Sequence, residues 1–81
     1  MEEAEMANWK QTTEVVGVKT YPERVIDSDE LLEMMAQMHF EKQAGADVTL
    51  KAAHDEMFEV TAYIFVRKMK DRTVINSFEK V

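Results

Sequence analysis

The sequence predicts an α+β domain of element order β-α-β-β-β, with one helix packed on a four-stranded, mostly antiparallel sheet. Three observations carry this: a Thr- and Val-rich segment ahead of a capped helical stretch, period-two alternation after it, and a chain of 81 residues that has room for one core only.

Residues 1–8 are acidic and lack β character, which predicts a flexible acidic tail before a single domain over 9–81. From Trp9 to Tyr21 the composition turns to Thr, Val and aromatics, as a strand requires, with Gly17 as a bulge. Tyr21, Pro22 and Glu23 end it, because proline donates no ladder hydrogen bond and holds its predecessor extended. The helix start is the sharpest local signal. Asp27 caps with Glu30 three residues on, and Ile26 and Leu31 occupy the two positions of a hydrophobic staple. The helix runs to Gln43 or Ala44, where Gly45 suits the left-handed position that stops it.

Beyond Gly45 the period becomes two. Val48, Leu50 and Ala52 alternate with polar neighbours, then Phe58, Val60, Ala62, Ile64 and Val66 do so in a second strand. A turn at His54, Asp55 and Glu56 joins them, and another near Lys70 and Asp71 leads to a last strand through Thr73, Val74, Ile75 and Phe78. The alternation gives a core of Val16, Val18, Leu31, Met35, Met38, Val48, Leu50, Ala52, Phe58, Val60, Ala62, Ile64 and Val66.

Charge is divided unevenly. Residues 1–41 hold ten acids against three bases, a balance of −7, and residues 42–81 hold six acids against seven bases, a balance of +1. An acidic half repels phosphate backbones and attracts cationic proteins, which argues against direct nucleic-acid binding. The absence of cysteine in so small a domain fits a reducing cytoplasm and removes thiolate chemistry. The acidic start is unlike a signal or transit peptide, and no apolar run approaches the roughly 20 residues of a spanning helix. The expectation is a cytoplasmic protein that does not enter a membrane.

Catalytic machinery is not legible. No glycine-rich phosphate loop is present. His39 reads as a core-edge histidine and His54, beside Asp55 and Glu56, as part of a polar turn, so neither metal nor cofactor is expected. Asp29, Glu30 and Glu33 sit in a solvated first helical turn, where the dipole favours the ionised form and nothing splits their pKa values into an acid and a base. The basic run Arg67, Lys68, Lys70 and Arg72 flanks a turn and reads as protection of strand ends.

At 100° per residue Glu30, Glu33, Gln37 and Glu41 share one helical stripe, and nearly everything else is apolar or small. That apolar arc exceeds what one sheet covers, so Leu32, Met34, Met38 and Phe40 are candidates for a homodimer contact. Glu41 stands near the helix C-terminus, where a carboxylate costs roughly 0.3–1 kcal/mol, a placement that invites a functional explanation.

A cysteine-free acidic chain of this length, with carboxylates at Glu23, Asp27, Asp29, Glu30, Glu33 and Glu41, resembles phage-encoded host-takeover proteins that mimic DNA, and among them inhibitors of the bacterial histone-like protein HU. The likeness spans the chain and is one of composition. It implies a non-enzymatic inhibitor acting in the host cytoplasm, whose carboxylates stand in for duplex phosphates and engage a basic DNA-binding protein. Two other readings stay open: a homodimeric structural or adaptor protein using the apolar helix face, and an enzyme with a small-molecule pocket lined by His39, Tyr63 and the methionines.

Overall fold

The computed structural model describes residues 7–81. Its elements in chain order are β1 (Asn8–Val15), β2 (Lys19–Thr20), β3 (Arg24–Asp27), α1 (Ser28–Gln43), β4 (Asp47–His54), β5 (Val60–Lys68) and β6 (Thr73–Lys80). The class is α+β, with one helix and an antiparallel sheet ordered β2-β1-β6-β5-β4, in which β3 also pairs with β1. β2 meets Glu14 and Val15, while β3 meets Asn8 to Gln11. Together they form one interrupted edge strand, and α1 carries the chain from that edge to β4 at the other.

The sheet thus has six strands where four were expected. The difference lies in the predicted strand Trp9–Tyr21. Gly17 does not bulge; with φ at 78° it makes a turn closed by Val18 N–H donating to the Val15 carbonyl (2.9 Å), so β2 folds back on β1. Arg24 to Asp27, expected as a lead into the helix, are held extended as β3 against β1. Of the expected tail, residues 1–6 lie outside the described residues, whereas Ala7 packs on the core and Asn8 pairs with Asp27.

Both ends of α1 form as their residues dictate. Asp27 accepts a hydrogen bond from Glu30 N–H (2.9 Å), and Ile26 and Leu31 are both buried in the core. At the other end Gly45, with φ at 102°, donates to the Lys42 carbonyl and Ala46 to that of Glu41, the paired bonds of a Schellman stop.

The core contains Trp9, Ile26, Leu31, Met38, Val48, Phe65 and Phe78, with Ala7, Met34, Met35, Val60 and Tyr63 packed against it. An aromatic series runs through it, with Trp9 to Tyr63, Tyr63 to Phe65 and Phe65 to Phe78 centroids at 5.5, 6.4 and 4.8 Å. This corrects the expected phase of β5. Tyr63 and Phe65 share the helix-covered face with Phe78 and Leu50, whereas Ala62, Ile64 and Val66 are on the face that no element covers among the described residues. Phe65 is 3% exposed and Ile64 42%. Both alternating sets of β5 are apolar, and the larger aromatic set takes the covered side because it removes more area from water.

Five other expected core positions are exposed, Leu50 and Ala52 because they lie on the edge strand β4, and three for local reasons. Val16 and Val18 flank the Gly17 turn, and Phe58 belongs to the β4–β5 loop rather than to β5. That loop is built on Asp55, whose carboxylate accepts from Met57 N–H (2.8 Å) and Glu59 N–H (3.0 Å). It forces φ of 64° on Phe58, which is 84% exposed. The left-handed conformation costs an L-residue about 1–2 kcal/mol, and glycine gives back about 0.5–1 through its freer unfolded chain. Phe58→Gly is therefore expected to raise stability by about 0.5 kcal/mol, read as a shift in the urea midpoint at constant slope.

Candidate partner-binding surface

Helix α1 lies on the sheet through Leu31, Met34, Met35 and Met38, which leaves its two flanks to do different things. On one flank Glu30, Glu33 and Gln37 form the wall of an open cleft of about 430 Å³, whose other lining includes Gln11, Asn76, Phe65 and Arg67. On the other, Met35, Met38, His39 and Lys42 border a smaller groove of about 220 Å³ against Val48, Thr49 and Leu50 of β4.

The floor of the larger cleft is polar where strand alternation would put apolar residues. Gln11 is buried beneath the helix side of β1 and organises the floor. Its amide nitrogen donates to Asn76 Oδ1 (3.0 Å), and its carbonyl accepts from Arg24 Nε (2.8 Å). Thr13 Oγ1 donates to the same Asn76 oxygen (2.6 Å). Among the described residues no buried side-chain nitrogen or oxygen lacks a partner, so the floor is satisfied internally. Sequence reasoning missed Gln11, Thr13, Arg24 and Asn76. Their signal is a polar residue in the inward phase of a strand, as Gln11 two residues from Trp9 and Asn76 two residues from Phe78.

Two arginines fix the ends of the carboxylate row. Arg24 reaches Glu30 (3.4 Å), an exposed pair worth about 0–1 kcal/mol. Arg67 donates from Nε (3.0 Å) and Nη2 (2.6 Å) to Oε1 of Glu41, and Gln37 donates to Oε2 (3.2 Å). The hydrogen bond from Gln37, then that from Arg67, hold the Glu41 carboxyl below the usual glutamate range against a smaller opposing effect of burial. The unfavourable place of Glu41 near the helix C-terminus is thus accounted for by contacts within the chain.

The six carboxylates do not gather on one surface. Glu30 and Glu33 line the cleft and Glu41 continues their row. Asp27 is engaged as the cap, and Asp29 is exposed in the first turn. Glu23 stands at the sheet edge, where it lines separate depressions, one with Lys10 and Thr12 and one with Tyr21 and Pro22. Glu33 takes no ion-pair or hydrogen-bond partner among the described residues.

Of the candidate dimer residues, Leu32 and Phe40 are exposed, but Met34 packs on the core and Met38 is part of it, so these two face the sheet rather than a partner. The pocket expected between His39, Tyr63 and the methionines does not assemble: His39 borders the β4 groove, while Tyr63 stacks between Trp9 and Phe65. No cluster of three or more His, Asp or Glu side chains able to hold a metal ion occurs among the described residues, and no helix there is long and apolar enough to cross a membrane. Comparison with protein-family models, curated proteins and solved structures finds no match to this chain.

Proposed function

We propose that the chain is a non-enzymatic acidic binding protein that presents the α1 carboxylate row to a basic, histone-like DNA-binding protein and competes with its DNA. The observation that carries this reading is Glu33, an exposed carboxylate without a partner among the described residues, on the open wall of a cleft between Glu30 and Gln37. At the far end of the row Glu41 is held in place by Arg67 and Gln37, so little of its side-chain freedom is lost when a cationic partner docks. From Glu30 to Glu41 the row extends roughly 16 Å along the helix axis. That is about five phosphate steps along one DNA strand at roughly 3.4 Å each. A lysine or arginine entering the cleft would find Glu33 as its unpaired carboxylate among the described residues, with Gln11 and Asn76 also in the lining.

Such an interface associates rapidly by electrostatic steering and weakens as salt shortens the screening length to about 8 Å and below. The test is competition with duplex DNA for a histone-like protein at two salt concentrations, using the wild type beside a Glu30→Gln, Glu33→Gln double variant. Glutamine preserves helix propensity and size, and Glu41 is left intact because it anchors Arg67. Two exposed ion pairs at about 0.2–1 kcal/mol each predict an affinity roughly 2- to 30-fold lower for the variant. A wild type that displaces no DNA sinks the reading. Equal displacement by both proteins removes the helix row as the site and leaves Asp55, Glu56 and Glu59 to be tested.

A further inference from the structure

The two edges of the sheet are built differently. One is blunted, since β2 and β3 are two and four residues long and are separated by Tyr21, Pro22 and Glu23. The other is β4, eight residues without proline, exposed at every position but Val48 and, among the described residues, paired on one side only. Its irregularity falls at the far end, between Ala53 and His54, so the stretch from Asp47 to Ala52 is straight. The outward groups of this stretch are those of Val48, Leu50 and Ala52, of which, among the described residues, only the Val48 N–H is already engaged, donating to the Ala46 carbonyl (3.2 Å). Sheets ordinarily guard such an edge with charge, proline or a central bulge. Here the middle of the strand carries Lys51 alone. The groove of Met35, His39 and Leu50 runs beside this edge, with Leu50 45% exposed. Leu32, 60% exposed, lies about 20° from His39 on the same helix flank.

We propose that β4 is a homodimer interface in which two copies pair antiparallel about a twofold axis normal to the sheet, Asp47 of each lying opposite Lys51 of the other. The axis keeps both helices on one face, so helix-facing Val48, Leu50 and Ala52 must oppose helix-facing residues, and the axis passes through a residue pair rather than between residues. Three centres use most of the strand. Centring on Lys51 sets lysine against lysine, which is unfavourable, and centring on Leu50 sets Lys51 against Thr49 and leaves the charges without direct partners. Centring on Thr49 forms two Asp47–Lys51 pairs on the open face and two Leu50–Val48 pairs on the helix face, with Thr49 against its own copy. A second copy is the occupant because this strand supplies its own complement in charge, Asp47 for Lys51, with the exposed Leu50 beside it. The carboxylate row is on the opposite helix flank, so the dimer leaves it open and the inference stands independently of the proposed function.

Sedimentation equilibrium from micromolar to several hundred micromolar protein tests it. The wild type is expected to dimerise, while Asp47→Lys and Lys51→Asp each turn two attractive pairs into repulsive ones and weaken association about tenfold or more. Mixing the two variants restores the dimer, because the heterodimer sets the introduced lysine against the introduced aspartate and native Asp47 against native Lys51. In the wild type, exchange of the outward β4 amides should slow with concentration, a readout that needs no variant. A monomer throughout the range, a dimer indifferent to both substitutions, no recovery on mixing, or β4 exchange independent of concentration overturns the proposal. A β4 edge protected by a foreign peptide and not by a second copy overturns it as well.

Discussion

Phe65→Ala is expected to lower stability by about 3–5 kcal/mol, and Ile64→Thr, one residue away in the same strand, by about 1 kcal/mol or less. Phe65 is buried between Tyr63 and Phe78 in the aromatic series, so its loss removes transfer free energy and opens a cavity that rigid neighbours fill poorly. Ile64 lies on the open face opposite Lys51 and Ser77, and threonine preserves its β-branching. A domain of this size has roughly 4–12 kcal/mol of stability in all, which makes the first substitution a large fraction of the total and the second a small one. Urea unfolding with unchanged slope separates the two. Equal costs, or a larger cost at Ile64, would mean that the strand faces the other way and that the helix covers Ala62, Ile64 and Val66.

That contrast also marks where the sequence is legible. The helix was readable at both ends because Asp27, Ile26, Leu31 and Gly45 act within a few residues of one another, and local chemistry decides the outcome. The existence of β4 and β5 was readable from their period, but not their ends, since His54 extends β4 and the Asp55 loop takes Phe58 out of β5. Nor was the phase of β5, since Tyr63 and Phe65 compete with Ala62, Ile64 and Val66 and only the tertiary position of α1 selects between them. The division of the first strand followed the same rule. Gly17 permits a bulge or a turn, and the choice depends on whether Lys19 and Thr20 find an edge to pair with.

The cleft was partly legible. Its carboxylate wall follows from helical spacing alone, which places Glu30, Glu33 and Glu41 on one stripe. Its floor depends on Gln11 and Asn76, which are 65 residues apart and meet only because β1 and β6 are neighbours. The same holds for Arg67, 26 residues from Glu41. In the sequence it belongs to a basic run at a turn, but in the fold its phase on β5 separates it from Lys68 and turns it to the helix side with Phe65.

The Arg67 contact gives Glu41→Gln a pH-dependent cost. A carboxylate accepting charge-assisted hydrogen bonds contributes about 1.5–3 kcal/mol, and removing a negative charge from the last helical turn returns about 0.3–1. The variant is therefore expected to be about 1–2 kcal/mol less stable near neutral pH. The folded pKa of Glu41 lies below its ordinary value, so its contribution is present in full above the unfolded pKa of about 4.3 and is lost as pH falls through the lowered folded value. The stability curves of wild type and variant should consequently run apart at neutral pH and draw closer in acid, with the narrowing setting in about one pH unit above the unfolded pKa, as the unfolded carboxyl begins to protonate. The hydrogen bond from Gln37 is the largest single cause of the shift, while Arg67 acts both through its hydrogen bonds and through its charge, so Gln37→Ala and Arg67→Met should each raise the Glu41 pKa, as followed by NMR titration of the side-chain carboxyl carbon. A difference between wild type and Glu41→Gln that stays constant down to strong acid would assign the cost to packing and leave the carboxylate charge without a role in holding α1 to β5.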